Sequence, residues 1–180
     1  MGNPVARAFL PLTASTVLLL ALGAPTASAS RIAASATVAW RADPLEITVP
    51  ASASIGTGAK GASITASLGT VTVVDSRAGI PPWTATVSAT DFTHGSATIT
   101  KGNVSYWSGP VTAQSGTGTR VPGQSTAAQK VALSTSATAF SGRKTATSAQ
   151  STSWQPTIVV AIPASAVAGT YTGTIMHSVA

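Results

Sequence analysis

Residues 71–92 read "VTVVDSRAGIPPWTATVSATDF", and the interpretation of this stretch decides the fold. Apolar and hydroxyl residues alternate from Val71 to Val73, and a second alternating run begins at Trp83. In that second run Trp83, Ala85, Val87 and Ala89 share one side, with Thr84, Thr86 and Ser88 on the other. A period of two is the spacing of a strand, so the stretch reads as two strands joined by a turn. Asp75 and Arg77 stand at that turn, where an aspartate accepts hydrogen bonds from nearby backbone N–H groups; the pair is read as structural. Trp83 heads a row of small neighbours and is read first as core, because its ring fills the space they leave. A stacking platform for a sugar ring is the competing role.

The same alternation recurs outward along the chain. It marks "LEITV" (45–49), "ASITAS" (62–67), "ATIT" (97–100), "VSYW" (104–107), "KVALS" (130–134), "TIVVAI" (157–162) and "TYTGTIMHSV" (170–179). Helix-favouring residues are scarce, so the expectation is an all-β fold: a single antiparallel β-sandwich of the immunoglobulin-like, Greek-key type. In the last segment Tyr171, Gly173, Ile175, His177 and Val179 fall on one side. Residues 108–129 and 141–153 are rich in Gly, Ser, Thr and Gln and are expected to be long loops.

The chain opens with Arg7, an apolar run "TVLLLALG" and the small-residue site Ala27-Ser28-Ala29. This pattern predicts a cleaved secretory signal peptide over 1–29 and one domain over 30–180. No cysteine is present, which excludes disulfides and thiolate metal sites. No second apolar stretch is long enough to span a bilayer. Removing Arg7 from the ten Lys and Arg leaves an excess of positive over the four acidic residues. These cations are scattered and are not interleaved with aromatics, so a nucleic-acid partner is not expected. In an exported protein the charge instead suits anionic wall polymers.

Chemistry-bearing groups are few. Asp75 has no nearby second carboxylate, because Asp91 lies at the far end of the following strand, too distant for a glycosidase pair. His94 and His177 lack companions for a three-ligand metal site, and no serine sits in a nucleophile elbow. The chain is therefore read as non-enzymatic, without metal or cofactor.

Taken in order, "LGTVTVVDSRAGIPPWTATVSATDF" (68–92), "NVSYWSGP" (103–110), "VALSTSATAFS" (131–141) and "AIPASAVAGTYTGTIMHSVA" (161–180) resemble the WxL-type surface domains of Gram-positive bacteria, in particular short secreted actinobacterial ones. Two departures stand out: Trp83-Thr84-Ala85 occupies the place of the first Trp-x-Leu, and His177-Ser178-Val179 that of the second. The resemblance implies a secreted, extracellular all-β domain held noncovalently on the cell wall through peptidoglycan or another anionic wall polymer. Trp83, Ala85, His177 and Val179 are then the wall-contact positions. A role in binding other secreted surface proteins, or in building a surface assembly, is the alternative.

Overall fold

The computed structural model describes residues 29–37 and 45–180. The expected signal peptide lies outside the described residues except for Ala29, and Trp40 lies outside them too. In chain order the strands are β1 (Ala29–Thr37), β2 (Leu45–Thr48), β3 (Ser52–Ala59), β4 (Ser63–Ser67), β5 (Val71–Asp75) and β6 (Pro82–Ala89). Next come β7 (Phe92–His94), β8 (Ala97–Ile99), β9 (Val104–Trp107), β10 (Val111–Ser115) and β11 (Gly118–Pro122). The last are β12 (Val131–Ala132), β13 (Ala137–Lys144), β14 (Gln150–Trp154), β15 (Thr157–Ala161) and β16 (Thr170–Val179). Single 3₁₀ turns at Lys101–Asn103 and Ala127–Gln129 are the only helical pieces described.

Three sheets share one core, as an all-β sandwich requires. Sheet I runs β11-β13-β6-β16-β1-β3, with the β7–β8 hairpin attached to β16. Sheet II is β10-β14-β5-β2, and sheet III is β12-β9-β15-β4. Sheets II and III are two halves of one bent layer, because β4 continues into β5, β9 into β10 and β14 into β15, in matching order. Each crossing bends at a turn-forming residue: Gly69 at φ 84°, Gly109 at φ 74°, and Pro156. Sheet I covers this bent layer. Phe140 of β13 stacks on Trp154 of β14 at 4.8 Å between ring centres, and His177 of β16 meets Tyr106 of β9 at 5.7 Å.

Two sequence expectations are corrected. Residues 108–129, expected as loops, contain β10 and β11, and residues 141–153 contain the end of β13 and most of β14. β14 reads "QSTSW", and its inward residues Gln150 and Thr152 are polar, so no apolar alternation betrays it. One pairing also departs from an antiparallel plan: β1 runs parallel to β16, from Arg31 beside Thr170 to Thr37 beside Met176. On its other side β1 pairs antiparallel with β3, with an irregularity between Ile32 and Ala33 near Gly56, which sits at φ 95°.

Candidate functional site

The turn after β5 is built as its residue types suggest. Arg77 donates its backbone N–H and Nε to Asp75 Oδ1, at 3.1 and 3.0 Å, and one terminal nitrogen to Oδ2 at 3.0 Å. The same nitrogen donates to the Pro81 and Pro82 carbonyls, so one guanidinium ties both ends of the turn together. A third member comes from sheet I: Lys144 Nζ donates to the Arg77 carbonyl and lies 3.8 Å from Asp75 Oδ1, with both side chains fully buried. Burial is the largest influence on Asp75 and disfavours its charged form. The hydrogen bonds from Arg77 and the charges of Arg77 and Lys144 outweigh it and hold the carboxyl below its ordinary value. This ionised carboxylate, paired with Arg77 and with Lys144 of the facing sheet, clamps the turn after β5 to sheet I. Sequence reasoning found Asp75 and Arg77 but not Lys144, whose inward position is hidden by the "SGRK" composition of β13.

Beside this clamp begins a row of rings that crosses the core. Trp83 is 2% exposed, stacks on Phe140 at 6.4 Å, and donates Nε1 to Gln150 Oε1 at 3.3 Å. Its cross-strand partner is Gly142, where an added Cβ would lie 2.5 Å from the indole. The ring occupies the space that a side chain at 142 would take. Phe140 stacks on Trp154; Trp154 Nε1 donates to the Tyr106 hydroxyl at 3.4 Å; and that hydroxyl lies 3.2 Å from His177 Nε2. Trp83 and His177, the first residues of the two motif positions, thus mark the two ends of one buried row. Ala85 and Val179, the third residues, are direct cross-strand partners on β6 and β16.

All four positions point inward, with Ala85 0%, His177 1% and Val179 9% exposed. Trp83 is a core ring and presents no face to a ligand. Burial lowers the His177 pKa to about 4 and raises that of Tyr106. The imidazole is therefore neutral near pH 7, and its Nδ1 has no hydrogen-bond partner among the described residues. Among the described residues no three His, Asp or Glu side chains gather to hold a metal ion.

What faces outward is different in kind. Among the described Phe, Tyr and Trp residues, Trp107 alone is not fully buried. It lies at the end of β9 on the outer face of sheet III, beside Thr157 of β15, which in turn pairs with Ser67 of β4. The next row of the same face runs Thr65, Val159, Ser105 and Ala132. Continuing the β12–β9 register by one residue brings the exposed Lys130 level with Trp107. No strand of this sheet carries an acidic residue. A partly open indole with hydroxyls and a cation around it can stack on a sugar face and attract an anionic polymer. The sequence does signal this: Tyr106 and Trp107 are adjacent in a strand, so if one ring enters the core the other must leave it.

No protein-family model matches this chain, and comparison with curated proteins and with solved structures gives no match. No helix among the described residues is long and apolar enough to cross a membrane.

Proposed function

We propose that this chain is a secreted, WxL-like, non-enzymatic domain that associates noncovalently with the bacterial cell wall and touches it through the outer face of sheet III around Trp107. The observation that carries the reading is that Trp107 is the one described Phe, Tyr or Trp ring left partly open to solvent. The resemblance to wall-associated domains supplies the setting, and the excess of basic residues suits peptidoglycan bearing anionic polymers. In this reading the two degenerate motifs keep the interior in register, and contact with the wall falls to a different strand.

The test is cosedimentation of the chain beginning at Ser30 with purified peptidoglycan sacculi, with and without teichoic acid, across a salt series. Wild-type protein is expected to pellet, with a salt-resistant part that Trp107→Ala removes and a salt-sensitive part that it leaves. Equal pelleting of both proteins would move the contact off this face, and no pelleting at any salt concentration would overturn wall binding. A second reading, docking of other secreted surface proteins, draws on the edge strand β11, where Val121 is 56% exposed. Pull-down from a secreted-protein extract separates the two.

A further inference from the structure

The first described strand has an unusual place in the fold. β1 lies between β16 and β3, so each of its edges completes a ladder that would otherwise end there. Neither partner is its neighbour in the chain. Residues 38–44 separate β1 from β2, which belongs to sheet II; β3 follows one element later, and β16 is the last strand in chain order. Its composition adds a second point. In "ASRIAASAT" Ile32 is the single large apolar residue, so the composition offers little side-chain pattern to distinguish one copy's ladder from another's. Backbone ladders do not depend on which copy supplies the strand, and small-residue strands fix their register weakly.

We infer that β1 is an exchangeable strand: a second copy of this chain can place its own β1 between β16 and β3, joining the copies through the same parallel and antiparallel ladders. The inference goes beyond the wall-contact reading and does not depend on it. Exchange of an identical element forms no new contact type, so its balance is set by concentration. A short tether gives the chain's own strand an effective concentration in the millimolar range. Copies crowded on a surface, or meeting before β1 has docked, compete on those terms.

The chain has no cysteine, which makes cross-linking unambiguous. Ser35 and Thr174 are register partners across β1 and β16. In the double variant S35C/T174C, oxidation is expected to close a bond within one chain at low concentration, confirming the register. When the S35C and T174C single variants are refolded together and oxidised, a covalent heterodimer is expected that grows with protein concentration. A mixture of S35C with T84C, placed on β6 away from β1, gives the collisional background. Heterodimer no more abundant than this background at every concentration would overturn exchange, as would failure of the double variant to close. Light scattering on the unsubstituted chain gives an independent reading: a molar mass that rises with concentration supports exchange, and a monomer throughout counts against it.

Discussion

Trp83 lies near the start of β6 and Trp107 at the end of β9, both in strands that alternate between an inward and an outward face, yet one is sealed in the core and the other is partly open. The difference lies in their partners. Trp83 faces Gly142 across the ladder and Gln150 from the opposite layer, so a cavity and a hydrogen-bond acceptor are both ready for it. Trp107 follows Tyr106, which takes the inward position and joins Trp154 and His177. A tryptophan in a motif position is thus no guide to ligand contact; what decides is whether the facing strand leaves room.

The largest loss of stability is expected at the buried ring. Trp83→Ala removes the indole from between Phe140 and Gly142 and strands Gln150, and is expected to cost about 3–5 kcal/mol in urea or thermal unfolding. An unchanged unfolding midpoint would mean that the ring is not core. Any loss of wall binding in this variant should track its loss of folded protein.

The far end of the same row gives the next largest effect. Free histidine titrates near 6.5, and burial holds His177 at about 4. Above pH 6.5 the ring is neutral in both states and contributes no pH dependence. As pH falls from 6.5 toward 4 the unfolded chain binds a proton that the folded chain refuses, so stability declines by about 3 kcal/mol and then levels off. Asp75 adds a later loss: its carboxyl is lowered beneath 3.8, so the stability it gives is present above that value and disappears as pH falls further. His177→Phe should flatten the limb between pH 6.5 and 4 while leaving the Asp75 limb. An unchanged acid limb would show that the imidazole is not sealed in the core.

The sequence was readable where inward residues are apolar. β2, β5, β9, β15 and β16 fall within one or two residues of their expected places, and the buried face of β16 is as the alternation implies, with Gly173 half-buried. It was unreadable where the core is polar. Gln150, Thr152 and Lys144 all point inward because each has a long-range partner: Trp83, Arg120 and the Arg77 carbonyl. Those partners are brought together only by the packing of two layers, so no local pattern announces them. β1 and β3 were missed for a related reason: strands made of Ala, Ser, Thr and Gly carry little pattern, and their pairing comes from the ladder itself. The candidate site was legible in part, through the Tyr106-Trp107 pair, but the motif positions drew attention to rings that pack inside.

Trp107→Ala carries the smallest expected change in stability and the most information. Trp107 is half-buried on an outer sheet face rather than sealed in the core, so truncation is expected to cost about 1–2 kcal/mol, against several for Trp83. Wall pelleting should fall in this variant while the urea midpoint holds, the reverse of what Trp83→Ala should show. Trp107→Phe then asks what the indole supplies: retained binding means that a flat apolar face is enough, whereas binding lost with stability intact would assign the contact to the larger ring or its N–H. A stability loss as large as that of Trp83→Ala would place Trp107 among the core rings, and the outer face of sheet III would lose its claim as the contact surface.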